Sequence, residues 1–594
     1  MARFAFAASV AAALTLASLA AYGQDDSMMG MAPRATETAT TTSSATTAAT
    51  ATSSIELPVL TRDLDAIFSE AWKKAAVTPA PDATPGELVR RVYLDLAGRT
   101  PTAEEAREFM DSQDPARFVT LVDRIIASPE YSRHLADTIM VVLLGREQYL
   151  DSVSRNQFRD WLAGRFAEDA PLDAIAREIL TAKTDSVVKN PASQYLLYFT
   201  QDQAVIAGRT ARIFLGNRIA CAQCHDHPYE PWKRTDFWSL ASYFIRVRRD
   251  AIYEPMTEEM KKKKAQPKTI DWKVWEVDGG DIYIPLQNGE TGRPALALPR
   301  FLGGTYDVTL YGTQQPRLPS LANAVTVEKR HELARAFANR FFGLLFGRGI
   351  VHPVDDFSEG HGASIPEALE RITSGFEVGG LKVKGYMRAL VLTEAYSRTS
   401  AGLPAPSDAN VAEPKLDARD KASWNKKTAP EDPALELFAR MRHKPLSPEQ
   451  ALQAFVTASR TETAATEQGE AALKQWKGQE QGILGQFVGL MARHDEEDPH
   501  SVQEGIPQAL VLMNGPSVAF FCQAREKTTV GLAAKIADPT ARVESLYMAA
   551  FARSPTAGEL KDALAFFETS KDVAKATEDY FWSLVNSSEF LYNH

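Results

Sequence analysis

Helix-start signals recur along this 594-residue chain and restrict it to a mainly helical fold. In each signal a Ser or Thr precedes a Glu by three residues, ahead of a run with helical apolar spacing. The four signals begin at Thr84, Thr102, Ser364 and Thr556. We therefore expect helices with short connections over most of residues 60–245 and 318–594.

The helix after Thr84 has apolar positions at Leu88, Val92, Leu94 and Leu96. This spacing defines one apolar stripe and leaves Arg90 and Arg91 outside it. We expect the stripe to face the core.

The middle of the chain has the alternation that is typical of strands. Residues 272–277 alternate, residues 278–280 (Asp-Gly-Gly) indicate a turn, and Asn288-Gly289 indicates another. The prediction is a mainly α, multi-helical protein of two regions, residues 57–249 and 318–594, with a small β-rich insertion at 250–317. A loop-rich break at 399–432, dense in Pro, Ala, Asp and Lys, divides the second region.

The N-terminus has the pattern of a secretory signal peptide. Arg3 precedes an apolar run, and the run ends in small residues near Gly23, so we expect residues 1–23 to be removed. An uncleaved membrane anchor is the alternative, because the run is nearly long enough to span a bilayer. Residues 24–56 are rich in Ala, Thr and Ser and predict a disordered tether. The expected location is outside the cytoplasm, in the periplasm or at the cell surface, with no transmembrane span after cleavage.

The charge of the chain argues against nucleic-acid binding. The formal net charge is -10 and the sequence pI is about 5.7. Three cysteines are also too few for a protein held together by disulfides.

One short pattern indicates a chemistry. Cys221, Cys224 and His225 form a Cys-x-x-Cys-His sequence, which is typical of c-type haem attachment. The two thiols at this spacing can bond to the two vinyl groups of a haem, and the adjacent His can reach the iron. Since covalent haem is attached outside the cytoplasm, this pattern agrees with the predicted export.

Two other chemistries fit the same residues. Cys221, Cys224, His225 and His227 could hold zinc or iron, because two Cys and two His suit a tetrahedral metal site. A Cys221–Cys224 disulfide is also compatible with an oxidising compartment. We expect Trp232, Phe237 and Trp238 to supply apolar cover, whichever group is bound.

Other candidate residues carry weaker signals. Asp355-Asp356 is expected to form a helix cap with a salt bridge, and Arg340 and Arg348 could pair with it or bind haem propionates. The sequence assigns no sixth haem ligand. His352 and His331 are candidates, and Cys522 lies in an apolar run typical of a core thiol.

Two segments of the chain resemble each other. Residues 99–103 open a unit that ends near Tyr131, and residues 553–557 open one that ends near Phe590. Each unit closes with Ser, an acid and an aromatic residue. Duplication of a helical pair and convergence of helix-hairpin sequences both explain this similarity.

The chain resembles secreted proteins of planctomycetes and related bacteria that join a PSCyt2 domain (DUF1549) to a PSD1 domain (DUF1553). Residues 90–98, 128–131, 158–162 and 214–237, the last including the Cys-x-x-Cys-His, carry the first resemblance, which places a DUF1549-like domain at 57–249. Residues 339–357, 508–515 and 553–556 carry the second and place a DUF1553-like domain at 318–594.

Taken together, these patterns predict an exported c-type-cytochrome-like protein. It would carry haem c at Cys221, Cys224 and His225, and would serve in electron transfer or as a redox component with a partner protein that the sequence does not identify. The alternative is a non-redox secreted protein with a Cys/His zinc site, which would bind a surface or carbohydrate partner.

Overall fold

The computed structural model describes residues 57–146, 152–200, 202–287, 289–310, 312, 314–401, 432–491, 510 and 512–594. They belong to one compact unit, Ser54–His594. The predicted signal peptide (1–23), the predicted tether (24–56) and most of the loop-rich break at 399–432 lie outside the described residues.

The first region consists of helices joined by short connections. A π-helical turn, Tyr93–Ala97, continues α2, and short 3-10 helices lie at Pro191–Ser193 and Ala220–Gln223. The helices are α1 (Leu57–Lys74), α2 (Pro85–Val92), α3 (Ala103–Asp111), α4 (Arg117–Ala127), α5 (Pro129–Leu144), α6 (Ser152–Ala167), α7 (Leu172–Thr181), α8 (Gln194–Phe199), α9 (Gln203–Leu215) and α10 (Arg234–Ala241).

Short strands occupy the middle of the chain. β1 (Val247–Tyr253) pairs antiparallel with β2 (Thr269–Glu276), and α11 (Glu258–Lys263) lies between them. β3 (Ile282–Tyr283) pairs antiparallel with β4 (Leu296–Ala297). The turn at 278–280 therefore joins β2 to β3, although these two strands pair with different partners.

The second region is again helical. A π-helical turn, Ala324–Glu328, follows its first helix, and β5 (Lys444–Pro445) pairs with β6 (Tyr592–Asn593). The helices are α12 (Leu318–Asn323), α13 (Arg330–Phe346), α14 (Pro366–Val378), α15 (Val383–Val391), α16 (Pro433–Glu436), α17 (Pro448–Ser459), α18 (Thr461–Gln468), α19 (Glu470–Met491), α20 (Pro516–Phe521), α21 (Thr529–Ala533), α22 (Pro539–Phe551), α23 (Ala557–Glu568), α24 (Val573–Val585) and α25 (Ser588–Leu591). The prediction of a mainly α protein with small sheets is confirmed. Among the described helices, none combines the length and apolar character needed to cross a bilayer.

Two hydrophobic cores form inside this unit. The larger core is built mainly from residues 60–441 and also includes Met548 and Ala552, and the second is built mainly from residues 446–590. Leu94, in the π-helical turn after α2, belongs to the second core, whereas its neighbours Tyr93 and Leu96 belong to the first. The turn therefore contributes side chains to both cores.

Three of the four predicted helix starts are confirmed. Thr84, Thr102 and Thr556 are N-caps, and the last two form complete capping boxes. Ser364 is not a cap. α14 begins at Pro366, whose ring suits the first helical position, so Ser364 lies one residue too early to reach the free backbone N–H groups.

Arg90 and Arg91 lie outside the predicted apolar stripe, yet both side chains are fully buried. Arg90 donates to the carbonyl oxygens of Ala550 (2.9 Å) and Phe590 (2.7 Å). Arg91 donates to the carbonyl oxygens of Tyr396 (2.6 Å) and His594 (3.2 Å). The partners lie hundreds of residues away, so local apolar spacing could not indicate this burial.

Two three-helix units share the same set of side-chain contacts. We call residues 93–131 the N-terminal unit and residues 547–590 the C-terminal unit. In each, a helix ends at a residue with positive φ, Gly98 (71°) or Ala552 (57°), and an arginine follows. The closing serines, Ser128 and Ser587, each cap the next helix.

The two arginines bind equivalent carboxylates. Arg99 pairs with Glu105 (2.7 Å) and Glu130 (3.0 Å). In the C-terminal unit, Arg553 pairs with Glu559 (2.8 Å) and Glu589 (2.7 Å). Each guanidinium also lies over the ring of a tyrosine six residues earlier, Tyr93 (4.8 Å) or Tyr547 (5.3 Å). A shared contact network of this extent supports duplication rather than convergence.

Candidate functional site

The Cys-x-x-Cys-His segment lies between α9 and α10, in a connection seated on the second helical region. α9 ends at Gly216, which has a positive φ of 70°. A side chain there would collide with the ring of Phe357, whose backbone N–H donates to the Gly216 oxygen at 2.9 Å. Glycine is therefore required here both for its conformation and for the close approach of Phe357.

The two thiols lie at the surface. Ala222 is fully buried in the 3-10 helix, and Cys221 and Cys224 on either side of it are exposed and free. The indole Nε1 of Trp238 in α10 donates to the Gln223 oxygen at 3.0 Å. This bond and the buried alanine hold the segment against the core, while both sulfur atoms stay accessible.

The two histidines use their Nδ1 atoms in opposite ways. The Nδ1 of His225 lies 2.8 Å from the Asp226 carbonyl oxygen, so it donates a proton there. The Nδ1 of His227 accepts the backbone N–H groups of Tyr229 (3.3 Å) and Glu230 (3.0 Å). In the neutral state, the Nε2 atom of His225 therefore carries a free lone pair, whereas the Nε2 atom of His227 carries the proton.

Predicted apolar cover lies beside the segment. Phe237 and Trp238 are buried, Trp232 is half-buried, and the Phe237 and Trp238 rings meet edge to face at 5.6 Å. Tyr229, in contrast, is 87% exposed. The aromatic side chains therefore divide into an anchoring set beneath the segment and one exposed ring.

Arg234 places a positive charge near the Cys-x-x-Cys-His segment. Its guanidinium binds Glu290 at 2.8 Å, and its backbone N–H donates to Asp226 at 2.9 Å. The hydrogen bond to Glu290 is the main cause that raises the pKa of Arg234, and charge interactions with Asp226 and Cys224 act in the same direction. A permanent cation thus lies within electrostatic reach of Cys224.

Asp355 and Asp356 form ion pairs in the loop that supports the Cys-x-x-Cys-His segment. Asp355 pairs with Arg218 (2.6 Å) and Arg212 (3.6 Å). Asp356 lies 3.2 Å from the His361 ring. Burial opposes the ionised form of Asp355, but the charges of Arg340 and the other nearby arginines prevail and lower its pKa.

The other candidate residues from the sequence make structural contacts or are buried in the core. His331 pairs with Glu377 at 3.0 Å on the surface, and Arg340 donates to the Ile213 oxygen at 3.0 Å. Cys522 is buried, as predicted for a core thiol, and burial raises its pKa to about 12.

Sequence reasoning missed the contact between the segment and the loop after α13. Besides the Phe357 bond, the backbone N–H of Glu359 donates to the Glu230 carboxylate at 2.9 Å. Neither partner stood in a recognisable pattern, and they are separated by 129 residues. Within the described residues, no group of three or more His, Cys, Asp or Glu side chains is arranged to hold a metal ion.

Comparison with known families covers both helical regions. Residues 63–249 match the PSCyt2 family, and residues 317–567 match the PSD1 family; each is described as a protein of unknown function, DUF1549 and DUF1553 respectively. The chain therefore contains a PSCyt2 domain followed by a PSD1 domain. Its Cys-x-x-Cys-His segment lies in the PSCyt2 domain, and the loop that supports it lies in the PSD1 domain. Neither the curated proteins nor the solved structures contain a match to the chain.

Proposed function

We propose that this protein is an exported c-type redox protein that carries covalent haem on its PSCyt2 domain. Cys221 and Cys224 would form the two thioether bonds, and His225 would bind the iron. The observation that carries the proposal is the hydrogen bond from the His225 Nδ1 to the Asp226 oxygen, because it leaves the Nε2 lone pair for a metal.

The accessible thiols support the same function. Both are free and exposed, so a haem vinyl group can reach each of them. In thioether formation the sulfur bonds to one vinyl carbon and the thiol hydrogen adds to the other, so atoms balance without an oxidant. Haem, when bound, supplies one-electron transfer.

The rest of the segment would set the surroundings of the cofactor. Trp238 and the buried Ala222 fix the backbone that carries the cysteines. The Arg234 guanidinium offers a donor for a haem propionate, since arginine binds carboxylates strongly. Export follows from the predicted signal peptide and agrees with haem attachment outside the cytoplasm.

The first experiment tests for covalent haem. The full chain is produced with its own leader in a host that carries the haem-maturation machinery. We expect a Soret band and a haem stain that persists on a denaturing gel. The double variant Cys221→Ser/Cys224→Ser should lose the stain. Colourless protein with one equivalent of zinc would show instead that the segment is a metal site.

A matched pair of histidine variants tests the assignment of the iron ligand. Asn can reproduce the acceptor that His227 uses, so His227→Asn should keep the wild-type absorption spectrum. His225→Asn removes the free Nε2, so it should shift the Soret band and alter binding of imidazole added to the solution. Equal spectra for the two variants would contradict the assignment.

A further inference from the structure

A groove on the C-terminal unit combines aromatic rings with carboxylates. It lies between α23 and α24, and its cavity volume is about 690 Å³. Tyr547, Phe566 and Tyr580 contribute rings, and the Phe566 and Tyr580 centroids are 5.7 Å apart. Cavities of this volume with aromatic walls are typical of small-molecule sites.

The charge of the groove is negative. Glu559, Asp562 and Asp579 line it, and no basic side chain is among the described residues that do so. Arg553 holds Glu559 (2.8 Å) and Lys575 holds Asp579 (2.6 Å) from outside the groove. Within the described part of the chain no ion pair engages Asp562, so its charge remains for a ligand.

The surroundings of the groove affect the ionisation of its tyrosines. Burial is the main cause that raises the pKa of Tyr580, and the hydrogen bond to Tyr547 and the charges of nearby carboxylates act in the same direction. The two hydroxyl groups lie 3.4 Å apart. Both phenols therefore stay neutral, and their rings face a negative potential that favours a cation.

In the N-terminal unit, the position equivalent to the surroundings of Asp562 is filled by a side chain. Glu108, like Asp562, lies three residues after the capping-box glutamate, and Arg124, like Ser583, lies four residues before the closing serine. Arg124 pairs with Glu108 at 3.0 Å and donates to the Tyr93 hydroxyl at 3.4 Å. The Arg124 guanidinium thus occupies the space beside Glu108 and Tyr93, which we call the acid-and-tyrosine corner of this unit.

The C-terminal unit keeps the corner and lacks its cation. Tyr547 and Asp562 correspond to Tyr93 and Glu108, but a serine, Ser583, stands in place of the arginine. We propose that this groove binds a small organic cation with an alkylated ammonium group, held by Asp562 and by the faces of Phe566 and Tyr580. This site is independent of the haem segment.

Choline and its uncharged isostere 3,3-dimethylbutan-1-ol test the proposal on the full chain. Calorimetric titration at low salt should show saturable binding of choline. The neutral analogue has the same shape without the charge, so its Kd should be weaker by about fivefold or more. Equal affinity of the two compounds would overturn the proposal, as would tighter binding of a neutral disaccharide.

Three variants locate the site. Ser583→Arg should abolish choline binding, because the new guanidinium would occupy the corner as Arg124 does. Asp562→Asn should weaken binding by about fivefold, the effect of one partly exposed charge. Glu568→Gln, at the end of the same helix but outside the groove, should leave the affinity unchanged. If Ser583→Arg folds with the wild-type melting temperature and still binds choline, the assignment of the site is wrong.

Discussion

Asp137 is a carboxyl group whose ionised form is disfavoured by the fold. It lies on α5 with 27% of its side chain exposed, and its closest cation, Arg159, is 3.9 Å away. Burial raises the pKa of Asp137 to about 7, although the charge of Arg159 acts against this, and Glu449 adds to the rise. The folded state therefore holds a proton here more tightly than the unfolded chain does.

The pKa of Asp137 gives a prediction for stability against pH. Above pH 7 the ionised group destabilises the fold, and this cost fades as the pH falls from about 7 towards 4. Asp137→Asn should raise the free energy of unfolding at pH 8 by about 1–2 kcal/mol, allowing for the exposed part of the side chain. Denaturant titrations at pH 8 and pH 4.5 measure the difference, which should shrink at the lower pH.

A neighbouring aspartate provides the control for this prediction. Asp160 pairs with the same arginine at 2.9 Å and is 67% exposed. Asp160→Asn should change the free energy of unfolding by less than about 0.5 kcal/mol. A gain from this variant equal to that of Asp137→Asn would mean that burial is not the cause.

At the scale of elements, each three-helix unit is closed by one arginine between two glutamates. The guanidinium of Arg99 or Arg553 joins the start of the second helix to the start of the helix that follows the third. Because two of these bonds to one carboxylate are parallel, a lysine cannot replace them. We infer that the same closure stabilises both units.

Removing either arginine should therefore have the same effect. Arg99→Ala and Arg553→Ala should each lower the free energy of unfolding by about 2 kcal/mol, the loss of several charge-assisted hydrogen bonds. The Lys variants should recover less than half of this loss. Arg124→Ala, which breaks an exposed pair, should cost only about 0.5 kcal/mol. Melting temperatures in which the first two variants resemble Arg124→Ala would contradict the inference.

Sequence patterns predicted where helices begin better than they predicted which segments contact one another. The capping boxes at Thr102 and Thr556 are local, since each forms within four residues, and they were read correctly from the chain. The support from Phe357 and the pairing of β2 with β1 were not predicted, because these contacts join segments that carry no shared pattern.

At the scale of the whole molecule, a buried ion pair connects the two cores. Asp95 and Lys444 lie 2.5 Å apart, with side chains 1% and 3% exposed. Tyr396 (2.8 Å) and Asn593 (2.7 Å) also donate to Asp95. Burial raises the pKa of Asp95 and lowers that of Lys444, while each charge opposes the shift of its partner.

Breaking this pair should affect both cores. Lys444→Met leaves the Asp95 charge buried without compensation, so it should cost about 3–5 kcal/mol. The double variant Asp95→Asn/Lys444→Met removes both charges and should recover part of the loss. Differential scanning calorimetry should show a lower melting temperature for the single variant. An unchanged melting temperature would show that water reaches Asp95.

The bonds of Arg90 and Arg91 also determine an order of events during synthesis. Arg90 binds the Phe590 oxygen 500 residues later, and Arg91 binds the His594 oxygen 503 residues later. At about 5–20 residues per second, a ribosome needs on the order of 25–100 s to span that interval. During this time α2 exists without the carbonyl groups that satisfy its two guanidinium groups. The nascent protein can therefore complete its first helical region only after residues 590–594 have been made.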